Sequence, residues 1–214
     1  MGIQERRERE KRIRRQQIMI AAKNVFSDKG FNRTTMEDIA NRAELSPGTL
    51  YLYFKNKEEL YASLSIDIME YLVERLENLL GQNNLGMGPE QKVDALMDVL
   101  FNVYEHDPLL IINVFHLQSS ETLKNLSPEL LSEIEKISRR AIGAFVKIYV
   151  EGRDKGLFID KHPIALADIL WSLFSGVVLW EDSKKTINKD KDFLKETLRI
   201  AFEVFIRGLK KTNK

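Results

Sequence analysis

The chain has no cysteine, only three histidines and only five prolines in 214 residues. Without thiols it cannot carry thiol catalysis, Cys-ligated zinc, an Fe–S cluster or a disulfide framework. The histidines, His106, His116 and His162, show no metal-ligand spacing such as His-Glu-x-x-His. A nucleophile elbow, a phosphate-cradling glycine loop and a dinucleotide fingerprint are missing too. An enzyme is therefore not the expected class, and neither a cofactor nor a metal is called for. The acidic pairs Glu58-Glu59 and Glu181-Asp182 read as helix-end or surface charges. Alternating β-branched runs bounded by turns, the mark of strands, are essentially absent.

Long apolar runs are scarce as well. The longest, Ile164 to Trp180, has 17 residues and carries Asp168 near its start. A spanning helix needs about 20, so a buried core helix and no membrane partner are expected. The first fifteen residues hold seven Lys/Arg and three Glu around no apolar signal core, which fits a cytoplasmic protein.

Charge is abundant but unevenly placed. The formal net charge is +1, yet residues 1–57 hold 13 Lys/Arg against 7 Asp/Glu, and the remainder is acidic by five. A basic head on an acidic body suggests a local contact with a polyanion.

Helical period runs through nearly every segment, so the fold class is all-α. Residues 3–29 read as one helix that begins as a charged arm supported by the i,i+4 pairs Glu5/Arg9, Glu8/Arg12 and Glu10/Arg14, and ends at Gly30. Thr34 and Thr35 each have an acidic residue three positions on, the capping-box spacing for a helix reaching Arg42. Ser46-Pro47 supplies an N-cap and a first-turn proline for a third helix running to about Phe54. Asn56 with Glu59 opens a long fourth helix to Leu80, followed by a loop around 81–88. Further helices are expected near 89–106, 108–120, 127–154, 162–181 and 191–210.

Met36 to Lys57 holds two short helices joined by a tight turn, a helix-turn-helix. Ile39, Ala43, Leu45 and Leu50 fix its angle from inside. With Leu50 and Phe54 turned inward, Gly48, Thr49, Tyr51, Leu52 and Lys55 face out. That face suits a DNA major groove: Gly48 permits close approach, Thr49 can hydrogen-bond a base edge or phosphate, and Leu52 can meet a thymine methyl. Tyr51, Tyr53, Lys55 and Lys57 can reach phosphates.

The runs Thr34-Thr35-Met36-Glu37-Asp38-Ile39-Ala40 and Ser46-Pro47-Gly48-Thr49-Leu50-Tyr51-Leu52-Tyr53-Phe54-Lys55-Asn56-Lys57, with Ala21 to Phe31 upstream, resemble the tetracycline-repressor (TetR) family of transcriptional regulators. The resemblance covers roughly residues 13–61. It implies a homodimer whose two heads bind successive major grooves of a near-palindromic double-stranded operator, and a body that responds to a small molecule. Position by position it implies base-facing roles for Pro47, Gly48, Thr49 and Leu52, and phosphate-facing roles for Thr34, Thr35, Tyr51, Tyr53 and Lys57. Ser46, at the start of the same helix, is grouped with them. The family generally has glycine in the turn where this chain has Glu44, and a non-glycine residue in a left-handed conformation costs about 1–2 kcal/mol.

Two domains are expected: residues 1–56 as the DNA-binding head, and 57–214 for ligand binding and dimerisation. In the body, aromatics recur at helical spacing: Phe101, Tyr104, Phe115 with His116, Phe145, Tyr149, Trp171 and Phe174. They are the candidate lining of an effector pocket, suited to a fatty or aromatic ligand. Apolar stripes on the last two helices (Leu170, Leu173, Val177, Val178; Leu198, Phe202, Phe205) are the expected four-helix dimer interface. A repressor, an activator and a ligand-independent regulator share these features; an interaction module without DNA binding is the remaining alternative.

Overall fold

The computed structural model describes residues 2–81, 86–119, 121–187 and 192–211. Nine α-helices fill them: α1 (Ile3–Lys29), α2 (Met36–Arg42), α3 (Pro47–Tyr51), α4 (Lys57–Leu80), α5 (Pro89–His106), α6 (Pro108–Ser119), α7 (Pro128–Asp154), α8 (Pro163–Ile187) and α9 (Leu194–Leu209). A 3-10 turn, Glu121–Asn125, precedes α7. No strand occurs among the described residues beyond one isolated bridge, Phe158 to Lys210. Residues 82–85 of the expected loop, and position 191 at the expected start of the last helix, lie outside the described residues.

All five prolines open a helix, at Pro47, Pro89, Pro108, Pro128 and Pro163. The ring presets φ for the first turn, where the missing N–H would have no intrahelical partner anyway. Two helix ends differ from expectation by three residues or more. α3 stops at Tyr51 rather than Phe54, because the amides of Leu52 and Tyr53 fold back to the carbonyls of Thr49 and Leu50, at 3.2 and 3.0 Å. α8 continues to Ile187 rather than ending near 181: its polar stretch from Glu181 contains no residue that breaks a helix.

The chain forms two compact units, Met1–Asp67 with Leu117–Ser132, and Ile68–His116 with Glu133–Lys214. The first packs Ile18, Ala22, Ile39, Ala40, Leu50 and Leu60 without solvent exposure. An aromatic cluster joins α1 to α4: Phe26 and Phe31 lie 5.0 and 4.6 Å from the Tyr61 ring, and burial pushes the Tyr61 phenol well above its usual value.

In the second unit, Arg140 of α7 forks onto two carboxylates of α4, holding Glu77 through Nε and Nη2 and Glu70 through Nη1, all near 3.0 Å. The guanidinium draws the Glu77 carboxyl below its ordinary range. Tyr149 is fully buried. Its hydroxyl lies 2.7 and 2.9 Å from the carbonyls of Ile159 and Lys161 and also accepts from the Lys161 amide, anchoring the connector after α7. Gly152 sits under Phe158 so closely that an added Cβ would fall 2.1 Å from the ring.

Candidate nucleic-acid interface

The helix-turn-helix is built from two caps and one strained turn. The Thr35 hydroxyl accepts from the Asp38 amide at 3.1 Å while Asp38 accepts from the Thr35 amide at 3.0 Å, a closed capping box. Hydrogen bonds from Lys29 and from the Thr35 amide hold the Asp38 carboxyl below its ordinary range. The box is therefore intact at neutral pH and is lost as pH falls through that lowered value. After α2, the Leu45 amide reaches the Ala40 carbonyl at 2.9 Å and the Glu44 amide the Asn41 carbonyl at 3.2 Å. This is a Schellman closure, which needs a left-handed residue between them. Glu44 occupies that place with φ of 55°. The turn keeps its geometry without glycine and carries the backbone strain expected of a residue with a Cβ.

Ser46 caps α3, its Oγ accepting from the Thr49 amide at 3.1 Å, and the two hydroxyls lie 2.9 Å apart at the start of the helix. Leu50 and Phe54 point into the core, and Pro47, Gly48, Tyr51, Leu52 and Lys55 are exposed, with Tyr53 half-buried. Two of these are costly or unrewarded for the fold itself. Leu52 is 79% exposed. Gly48 has helical backbone and room for a side chain: an added Cβ would meet only Ser46 Oγ, at 3.9 Å. Glycine within a helix is worse than alanine by about 1 kcal/mol. No contact among the described residues accounts for either residue.

Two expected phosphate contacts take other work. Thr34 is 2% exposed and donates its hydroxyl to the Gly30 carbonyl at 2.8 Å, so it stabilises the α1–α2 connection instead of facing outward. The Lys57 ammonium donates to the carbonyls of Phe31 and Thr34, at 2.9 and 3.0 Å, and lies 4.4 Å from the Phe31 ring centre. It clamps the same connection to the start of α4. In both cases the residue type suits a phosphate, while the side chain points into the protein.

The expected pocket residues of the body separate. Phe115, Trp171 and Phe174 form one cluster, with ring centres 5.3 to 5.9 Å apart. Phe145 and Tyr149 stack in another, where the fully engaged Tyr149 hydroxyl makes it a structural anchor rather than a ligand group. Phe115, Phe145 and Phe174 are buried core; Tyr104 is half-buried and His116 exposed. Phe101 alone of the set lines a groove of about 660 Å³ between α5 and α9, floored by Met97, Phe101, Leu198, Phe202 and Ile206 and rimmed by charged side chains.

The expected interface residues divide by burial. Leu170, Val178, Leu198 and Phe202 are buried within the protomer, and Leu173, Val177 and Phe205 are half-buried. The most exposed apolar residues of these two helices lie elsewhere: Ile164, Ile169, Trp180 and Ile187 on α8, Ile200 and Val204 on α9. α8 is long and apolar enough to cross a membrane, but it is no wholly buried core helix: only 28% of its apolar window is buried. One face packs against the protomer and the other is open. Glu181, expected at the surface, is buried, accepting from Lys184 and from the Thr197 hydroxyl of α9.

Residues 18–64 match the family of bacterial regulatory proteins, tetR family. The fatty acid metabolism regulator protein of Bacillus subtilis is 30% identical over 94% of this chain and 98% of its own length. The chain belongs to the TetR family. It is a DNA-binding transcriptional regulator. The transcriptional activator FasR of Mycolicibacterium smegmatis is 25% identical over 83% of this chain and 76% of its own. Among solved structures, the regulator FadR from Bacillus subtilis, in complex with stearoyl-CoA, superposes with a TM-score of 0.67 at 23% identity, over 91% of this chain and 98% of that one.

Proposed function

We propose that this TetR-family protein is a cytoplasmic, non-enzymatic homodimeric repressor that leaves a near-palindromic operator when a long-chain fatty acyl thioester binds its body. The observation that carries the DNA half is the outer face of α3 and the residue that caps its end, where a spacious Gly48 and an exposed Leu52 serve nothing in the fold. Pro47, Gly48, Thr49 and Leu52 read bases. Tyr51, Tyr53 and Lys55 meet phosphates, joined by the exposed cap residue Thr35. Two heads address grooves about 34–36 Å apart.

The effector half is supported by the relative named for fatty acid metabolism, whose similarity extends through the body. The α5–α9 groove has an apolar floor for a hydrocarbon tail, and its rim mixes Lys195, Arg199, Arg207 and Lys210 with Asp94, Asp98 and Glu203, so an anionic head would exchange into existing ion pairs. Linkage requires the acyl thioester to bind the DNA-incompetent form more tightly. Activation is the second reading, favoured by the likeness to FasR.

The test is selection of a duplex from random-sequence DNA with the full chain, followed by titration of the complex with stearoyl-CoA. Recovery of an inverted repeat that stearoyl-CoA releases supports the proposal. An inverted repeat that stearoyl-CoA leaves bound removes the effector half, and no duplex enrichment at low salt removes both.

A further inference from the structure

α1 begins about four turns before its first buried residue, Ile18. The described residues from Gly2 to Gln17 whose burial is defined are all exposed, so this arm is not built to close a core. It is helical because its side chains support one another locally, as in the Arg6–Glu10 pair at 2.8 Å.

The charges on the arm are sorted around its axis. At about 100° per residue, Arg7, Lys11, Arg14 and Arg15 fall within about 100° of arc, and Glu5, Glu8 and Glu10 all lie outside it. The other basic residues, Arg6, Arg9 and Arg12, lie on the opposite side with Glu5, while Glu8 and Glu10 border the sector about 20° and 40° beyond its edges. Within the sector Arg14 donates to a neutral partner, Gln17, at 3.1 Å.

The same sector continues into the buried face of α1 that carries Ile18, Ala21 and Val25, so the stripe lies on the helix-turn-helix side of the arm. Two contacts fix its root there. Arg15 lies 4.8 Å from the Phe54 ring centre, just past α3, and donates to Ser63 at 3.0 Å. Arg14 lines a hollow of about 360 Å³ with Arg42 and Glu44, the end of α2 and the strained turn. Arg14, Arg42 and Glu44 thus share one hollow beside the turn.

We infer that Arg7, Lys11 and Arg14 form a second DNA contact, gripping phosphates in addition to those met by α3. This rests on the DNA-binding reading of α3. Arg7 to Arg14 spans about 10 Å of helix, over which a duplex presents about six phosphate charges. The contact is sequence-independent: it adds affinity and salt dependence to every site, and no base preference.

The experiment measures binding of the full chain to a fixed random-sequence 40-base-pair duplex by fluorescence anisotropy across a KCl series. The triple variant Arg7→Gln, Lys11→Gln, Arg14→Gln is compared with Arg6→Gln, Arg9→Gln, Arg12→Gln, which removes the same charge from the other side. Glutamine keeps helix propensity close to that of the residues it replaces, and circular dichroism checks that the helix content is unchanged. Removing three phosphate-binding cations from each protomer of a dimer flattens the slope of log K against log salt by about 5; the control shifts it by less than half as much. Equal shifts in both variants, or none in the first, overturn the stripe while leaving α3 as the DNA reader. A wild-type chain that binds no duplex even at low salt overturns the reading of α3 and the stripe with it.

Discussion

Leu52, just past the end of α3, and Trp180 on α8 both leave large apolar surface in water, at 79% and 65% exposure, but they stand in different company. Leu52 is a single apolar point among Gly48, Thr49, Tyr51 and Lys55, with hydroxyls and an amine around it. Trp180 belongs to a stripe with Ile169 on the same helix and faces the same problem as Ile200 and Val204 on α9. An isolated apolar group in a polar setting suits a partner that is mostly charge with scattered methyl groups, as a DNA groove is. A continuous stripe suits a second apolar surface of the same kind. Exposure alone therefore does not identify a partner; the surroundings do.

Substitutions can break that distinction in order of size. Phe174→Ala, which empties a fully buried site beside Phe115, Trp171 and Phe202, is expected to cost about 3–5 kcal/mol in chemical unfolding. Trp180→Glu is expected to turn the dimer into a monomer at micromolar concentration by sedimentation, with helix content retained; a persisting dimer would move the interface off this stripe. Leu52→Ala should weaken operator binding by about 1–3 kcal/mol while leaving unfolding within about 0.5 kcal/mol of the parent. A matching loss of stability would return Leu52 to the core. Glu44→Gly relieves the left-handed turn and should raise stability by about 1 kcal/mol, read as a higher unfolding midpoint.

Capping chemistry made the helix starts legible. Thr35, Ser46, Asn56 and every proline mark theirs by a local rule that packing does not override. The outward face of α3 was legible for a related reason: Leu50 and Phe54 are both needed inside, which leaves Leu52 no buried position. Direction was harder at Thr34 and Lys57, since a hydroxyl or an ammonium fits a phosphate and a backbone carbonyl equally well. The body was least legible. Aromatics at helical spacing serve a core, a pocket and an interface with one pattern, and only packing separates Phe174 from Phe101 or Leu170 from Ile169. Glu181 was illegible because a carboxylate beside Asp182 looks like a surface charge until Thr197 of α9 is found against it.

Gly48 has a consequence for anyone who would redesign the protein. Its helical backbone accepts a side chain and its surroundings have room for one, so Gly48→Ala should stabilise the fold by about 0.4–1 kcal/mol. A screen that ranked variants by melting temperature would keep that change, and would welcome a charged residue at Leu52. With Gly48 and Leu52 as the proposed base contacts, it would return a sturdier protein that no longer fits its operator, because activity would then reside in residues that a stability criterion removes first.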